Sequence, residues 1–233
     1  MPPFAKSIVL ASLAVVALLA CCGLWFAQIA MADDEPVNAQ QVDFYHVPLM
    51  CPAARGLGCG SRAKPILLDL EKTSGVAEAW LDHSGETLAV VWAADSPPSQ
   101  RAAILANVSK QHSVRLKELT GQTRESSLTS FRAHEGWHRG ADVDRLSEQE
   151  AEVIADRFIS RTVNKAPSAK GKMAALRPAL TDAIREQLVE DLPSTDECRE
   201  KVMAAARQHL SESELSALAS AFDLGYRPVG DEK

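Results

Sequence analysis

Cysteine is scarce in this sequence, and the motifs that most often identify an enzyme are missing. The chain has five cysteines, and only Cys51, Cys59 and Cys198 lie beyond residue 32. So small an odd number argues against the dense disulfide scaffold of small secreted domains. The sequence also has no glycine-rich phosphate loop and no low-complexity tract. We therefore predict neither a phosphate-binding loop of that kind nor a disordered protein.

Basic residues are outnumbered in most of the chain. Residues 33 to 233 carry 24 Lys and Arg against 31 Asp and Glu, a formal charge of −7. A surface of this sign repels the phosphates of nucleic acids and of anionic lipids, whereas it tolerates cations. Nucleic acid is therefore not a predicted partner.

Charge is absent altogether from residues 7 to 32, which follow Lys6 and end just before Asp33. This arrangement predicts an export signal or a membrane anchor, with the N-terminus in the cytoplasm. Residues 33 to 233 are then expected outside the cytoplasm, in the periplasm or a comparable space. If the segment is not cleaved, it anchors the chain in the inner membrane.

Three forms of this N-terminal segment stay open. Residues 30 to 32 read Ala-Met-Ala, an A-x-A signal-peptide cleavage site, but the apolar run is also long enough to span a bilayer. Residues 18 to 21, Leu-Leu-Ala-Cys, resemble a lipobox. An apolar stretch continues beyond Cys21, which disfavours the lipoprotein.

The remaining chain predicts an α+β protein. Residues 42 to 121 alternate in the order β-α-β-β-α-β, the ferredoxin-like plan. The predicted regions are a signal peptide or anchor at 1–32, a spacer at 33–41, a ferredoxin-like domain at 42–121, a polar connection at 122–145 and a helical region at 146–226.

Two patterns refine this organisation. Residues 88 to 92 are apolar on both faces of their strand, so we expect the second half of the chain to cover the open side of the sheet. Three capping boxes, at 147–150, 194–197 and 211–214, each precede an apolar-periodic segment and predict helix starts.

Residues 46 to 93 resemble the heavy-metal-associated domain family. The resemblance is based on Cys59-Gly60-Ser61 at the start of the first helix, on the pair Gly75-Val76 and on the strand of residues 88 to 92. Members of that family are ferredoxin-like modules that bind copper(I), zinc or mercury(II) through a Met-x-Cys-x-x-Cys loop. Seven residues separate the cysteines here instead of two, so the resemblance implies the ligands Cys51 and Cys59 without reproducing the family's compact clamp.

The cysteine pair has two competing interpretations. Cys59 starts a helix, where the helix dipole favours a thiolate, and thiolate and thioether ligands select copper(I) or mercury(II) over zinc. His46 and Met50 are candidate additional donors. In an oxidising compartment, however, Cys51 and Cys59 also suit a disulfide that holds the loop. Cys198 is expected to be a free or buried thiol.

Residues 134 to 138 read His-Glu-Gly-Trp-His and fit the letters of the zinc-peptidase motif H-E-x-x-H. That chemistry needs a helix, so that two histidines face one zinc ion while the glutamate acts as the base. Gly136 and the absence of a recognisable third ligand disfavour it. His134 and His138 remain candidates for a non-catalytic metal site.

These observations favour a protein without enzymatic activity that binds a soft metal in delivery, sensing or resistance. The main alternative is an interaction module of the cell envelope, with a Cys51–Cys59 disulfide and a protein partner. The second alternative is a zinc-dependent hydrolase that uses His134, Glu135 and His138.

Overall fold

The computed structural model describes residues 41 to 189 and 195 to 232. The predicted signal or anchor at 7–32 and most of the spacer lie outside these residues. Within them, no helix combines the length and apolarity needed to cross a membrane.

The described chain is α+β, as predicted, with a five-stranded antiparallel sheet. Apolar residues that alternate in the second strand and run continuously in the third form the hairpin, and glycines at 75 and 85 mark its start and its turn. The elements of the sheet half are β1 (Val42–His46), α1 (Gly60–Glu71), β2 (Val76–Asp82), β3 (Thr87–Trp92), α2 (Pro98–Gln111), β4 (Lys117–Glu118), α3 (Gly121–Arg132) and β5 (Trp137–Arg139).

The strand order is β4-β1-β3-β2-β5, and every neighbouring pair is antiparallel. The element order β-α-β-β-α-β expected for residues 42 to 121 is present. The last of those strands is shorter than predicted, since only Lys117 and Glu118 pair with β1. β5 extends the sheet on the other side, next to β2.

The stretch 122–145, predicted as a polar connection, contains α3 and β5. Only Leu128 and Phe131 of α3 are buried, too few apolar residues for the helical period to stand out from the sequence. They are three apart and so lie on one face of the helix. β5 was not predicted, because it has only three residues and follows the left-handed turn at His134 and Gly136.

α3 covers the second face of the sheet, where the second half of the chain was expected. Phe131 is fully buried and makes edge-to-face contacts with Phe44, Trp80 and Trp137 at centroid distances of 5.2 to 5.8 Å. The apolar residues on both faces of β3 are thereby buried. The need for a cover was predicted correctly, but the covering element was not.

The second half of the chain is helical, as predicted, and packs through its first helix on α1. Its elements are α4 (Asp144–Lys165), a 3₁₀ turn (Pro167–Ala169), α5 (Lys170–Val189), α6 (Thr195–Ala206) and α7 (Glu212–Asp223). The capping box of Ser211 and Glu214 starts α7 as predicted. Ser147 does not cap α4, which begins three residues earlier, and Ser194 lies outside the described residues.

One buried core runs through both halves. It includes Leu81 of β2, Leu67 of α1, Ile154 of α4 and Leu218 of α7. α4 lies between the sheet half and the remaining helices, because it contacts α1, α5 and α7.

Arg161 of α4 holds the last described residues against the helical half. Its guanidinium donates to the carbonyl oxygens of Ala221 (3.2 Å), Gly225 (2.5 Å) and Arg227 (2.8 Å). It also forms an ion pair with Glu232 at 2.7 Å. Arg161 is only 7% exposed, so these partners compensate a buried charge.

Candidate metal centre

Cys51 and Cys59 lie on the two arms of a short turn between β1 and α1. Met50 and Gly58 form an antiparallel bridge, flanked by the hydrogen bonds from Cys51 N to Leu57 O and from Cys59 N to Leu49 O, both 2.7 Å. Side chains alternate between faces along such arms. Both cysteines therefore lie on the buried face, 3% and 7% exposed, whereas Met50 is 50% exposed on the other.

The register of this turn places the two cysteines diagonally. Cys51 stands opposite Leu57, and Cys59 opposite Leu49. Diagonal neighbours in an antiparallel pair have Cβ atoms roughly 7–8 Å apart, whereas a disulfide needs about 3.5–4.5 Å. Both cysteines are free thiols in the structure.

The first turns of α4 cover the buried face of the cysteine turn. A Cβ atom at Gly60 would lie 2.5 Å from Ser147 Oγ and 2.7 Å from Val143 O, so only glycine permits this approach. Gly85 packs as closely against the other side of the turn. A Cβ atom at Gly85 would lie 2.5 Å from Gly58 Cα and 2.5 Å from Leu49 O.

Glu150 of α4 brings its carboxyl group to Cys51, and Ser147 lies against Gly60, the residue that follows Cys59. The Cys51 thiol faces the Glu150 carboxyl and accepts a hydrogen bond from Ala53 N at 3.3 Å. Ser147 Oγ and Glu150 Oε2 are buried and have no hydrogen-bond partner among the described residues. Buried polar groups are rarely left in this state, because each costs about 1–3 kcal/mol.

Burial dominates the electrostatics of the pair Cys51 and Glu150. Desolvation, followed by the nearby Glu150 carboxyl, raises the pKa of Cys51 to about 12. Burial also raises the pKa of Glu150, against the opposing effect of the Cys51 thiol. Cys51 is therefore a protonated thiol at neutral pH, and a metal ion must displace its proton to bind it.

Cys59 occupies a different environment from Cys51. It is the N-cap residue of α1, at the positive end of the helix dipole, and its Sγ lies 3.5 Å from Ser61 Oγ. A cavity of about 610 Å³ lies between the turn and α4, lined by Arg55 of the turn and by Arg157 and Ser160 of α4.

The other predicted donors do not join the cysteines. Met50 points to the opposite face of the turn. His46 lies at the exposed end of β1, with its Nδ1 atom 3.1 Å from Glu86 O. Of the four predicted ligands Cys51, Cys59, Met50 and His46, only the two cysteines therefore lie on one face of the turn.

The residues of the H-E-x-x-H stretch are not on a helix. His134 lies in a turn with φ of 53° and contacts the Trp80 ring at 5.6 Å, whereas His138 lies in β5 opposite Leu81. Trp80 and Leu81 are consecutive in β2, so their side chains lie on opposite faces of the sheet. The structure thus separates His134 from His138 instead of aiming both at one ion.

Sequence reasoning missed Ser147 and Glu150, which were interpreted as a helix cap. A signal for them was present, since Ser147, Glu150, Ala151 and Ile154 follow the helical spacing of one face. Polar residues on an otherwise apolar face indicate a buried polar contact. Cys198 is a buried free thiol, as predicted.

No group of three or more His, Cys, Asp or Glu side chains in residues 41–189 and 195–232 is arranged to hold a metal ion. No protein-family model matches the sequence, and comparisons with curated proteins and with solved structures found no match.

Proposed function

We propose that this protein binds a soft metal ion, copper(I) or mercury(II), through Cys51 and Cys59, and that it senses this metal in the cell envelope. The observation that carries the proposal is the placement of two free thiols on one face of a single antiparallel turn.

The spacing of the thiols suits a metal bridge. Metal–thiolate bonds of about 2.3 Å place two sulfurs on one ion about 4.6 Å apart, against about 2.05 Å in a disulfide. With a Cβ–S bond added at each end, a metal bridge is long enough to join the Cβ atoms of Cys51 and Cys59, which are diagonal neighbours. Copper(I) and mercury(II) accept two sulfur ligands in a near-linear arrangement, whereas structural zinc needs four ligands.

The surroundings of the thiols support an occupant. Ser147 Oγ and Glu150 Oε2 are buried against the cysteine turn without partners among the described residues. An ion held there, with the water that accompanies it, accounts for both polar groups.

Sensing is favoured over delivery because α4 covers the thiols. Transfer of a metal between proteins requires ligands that a partner can reach, and Cys51 and Cys59 are both buried. Binding at Cys51 must instead change its contact with Glu150. The metal thereby acts on α4, which contacts α1, α5 and α7.

The fold and location belong to the same proposal. The order β-α-β-β-α-β with strands β4-β1-β3-β2 is that of the ferredoxin-like plan, which the heavy-metal-associated domains share. Residues 7 to 32 would carry the chain out of the cytoplasm and tether it to the inner membrane.

A copper(I) competition titration tests the proposal. The full chain is reduced and held in detergent, with Cys21, Cys22 and Cys198 replaced by serine so that only Cys51 and Cys59 remain. We expect binding of one copper(I) per chain, which Cys51→Ser and Cys59→Ser each weaken by at least a hundredfold. The matched control is Met50→Leu, which we expect to leave the affinity within threefold.

Two outcomes would contradict the proposal. Equal binding in the background chain and in both cysteine variants would show that the thiols are not ligands. Rapid formation of a Cys51–Cys59 disulfide without any effect of metal would favour the interaction module, in which the turn only packs the two halves together.

A further inference from the structure

A second pair of metal-ligating side chains lies on the sheet, apart from the cysteines. His138 stands in β5 opposite Leu81, so its side chain lies on the face of the sheet that Leu81 shares. His83 lies in the turn that follows β2. The two imidazole rings are 6.1 Å apart between centroids and inclined by 35°.

His138 is buried without a full set of partners. It is 9% exposed, and its Nε2 atom has no hydrogen-bond partner among the described residues. Burial lowers the pKa of His138, with His83 and Arg145 acting in the same direction. The ring is therefore neutral at physiological pH, and neutral imidazole is the form that binds metals.

The distance between the rings fits one bridging ion. A metal ion binds an imidazole nitrogen at about 2.0–2.1 Å, so two rings on one ion have centroids up to roughly 6.4 Å apart. The observed 6.1 Å lies within this reach.

Charged side chains of both signs lie around the two histidines. Asp82 and Asp142 oppose the effect of Arg145 on His138, although the Asp82 oxygens already accept hydrogen bonds from Ser84 Oγ and from the backbone of Glu86 and Thr87. His83 is exposed, so an ion can enter from solvent and keep water in its remaining positions.

We propose that His83 and His138 together bind a divalent transition-metal ion of the kind that prefers imidazole, such as zinc(II). The site is distinct from the thiol pair in its ligands and in its metal. It lies beside the cysteine turn, because His83 O accepts a hydrogen bond from Gly58 N at 2.7 Å.

Zinc titration by calorimetry tests this site. The full chain carries Cys51→Ser and Cys59→Ser, so that the result does not depend on the thiol site. We expect one zinc(II) to bind per chain, with the affinity reduced at least tenfold in His83→Ala and in His138→Gln. His134→Ala is the matched control, and we expect it to retain the parent affinity.

His83→Ala keeps the test valid if the buried His138 cannot be replaced without unfolding, because the His83 side chain is exposed. An unchanged zinc affinity in His83→Ala would overturn the proposal, as would a chain that binds no zinc at all. A loss of affinity in His134→Ala would also overturn it, since His134 lies on the other face of the sheet.

Discussion

Gly60 of α1 lies in close contact with α4, where the sheet half meets the helical half. An alanine there would place its Cβ atom 2.5 Å from Ser147 Oγ and 2.7 Å from Val143 O. One of the neighbours must then move, and α4 is fixed by its packing on α1, α5 and α7. We expect Gly60→Ala to lower the free energy of unfolding by about 1–3 kcal/mol, as overpacking does in other cores. Denaturation with urea measures the change.

Gly171 provides the control for this substitution. It lies in the first turn of α5, and no atom lies within 4 Å of its ideal Cβ position. Gly171→Ala should raise the free energy of unfolding by about 0.5–1 kcal/mol, because alanine costs less backbone entropy in a helix. Equal losses in the two variants would mean that the close approach of α4 to Gly60 is not a constraint.

At the scale of single elements, α7 depends on a glutamate that joins three parts of the helical half. Glu214 accepts hydrogen bonds from Lys172 Nζ of α5 (2.7 Å), Ser211 N (2.8 Å) and Ser168 Oγ of the 3₁₀ turn (2.8 Å). Lys172 first, and then the Ser211 backbone, lower the pKa of Glu214 from 4.5 to about 2.

A lowered pKa in the folded chain stabilises it wherever the carboxylate is charged. The contribution of Glu214 is therefore present above pH 4.5 and is lost as the pH falls towards 2. We expect Glu214→Gln to lower the thermal unfolding midpoint at pH 7 and to match the parent chain near pH 2. Glu212→Gln, at an exposed position in the same turn, is the control. A difference from the parent that persists at pH 2 would contradict this assignment.

The elements differ in how far the sequence could predict them. β2 and β3 could be predicted, because β2 alternates apolar and polar residues and β3 is a short apolar run, with Gly75 and Gly85 beside them. α3 could not be predicted, since Phe131 and Leu128 are its only buried residues and the sheet face that they cover exists only in the fold. α4 starts earlier than its apparent cap because Val143 and Leu146 are buried against the cysteine turn.

The candidate sites show the same limit. The Cys51–Cys59 turn can be identified from the sequence, because both cysteines and the helix start are local features. The approach of Glu150, and the pairing of His83 with His138, join residues that are distant in sequence and depend on how strands and helices pack. The motif at residues 134 to 138 suggested that His134 and His138 share one ion, but the intervening backbone forms a turn and a strand, which place the two rings on opposite faces of the sheet.

At the scale of the whole molecule, the continuous core predicts cooperative unfolding. Leu81 of the sheet and Leu218 of α7 belong to one buried cluster, with α4 between them. We expect the fluorescence of Trp80, Trp92 and Trp137, which report on the sheet, to change together with the far-ultraviolet circular dichroism of the helices. The comparison requires a Trp25→Phe background, so that the signal comes from the described residues. Two separate transitions would mean that residues 42–121 and 146–226 are independent domains.

The clamp around Arg161 has a consequence for the order in which the chain is made. Arg161 is synthesised 60 to 71 residues before Ala221, Gly225, Arg227 and Glu232, which compensate its charge. Until those residues leave the ribosome, burial of α4 would place a guanidinium in an apolar core without partners, which is costly. We therefore expect α4 to pack completely only after residues 221 to 232 have left the ribosome.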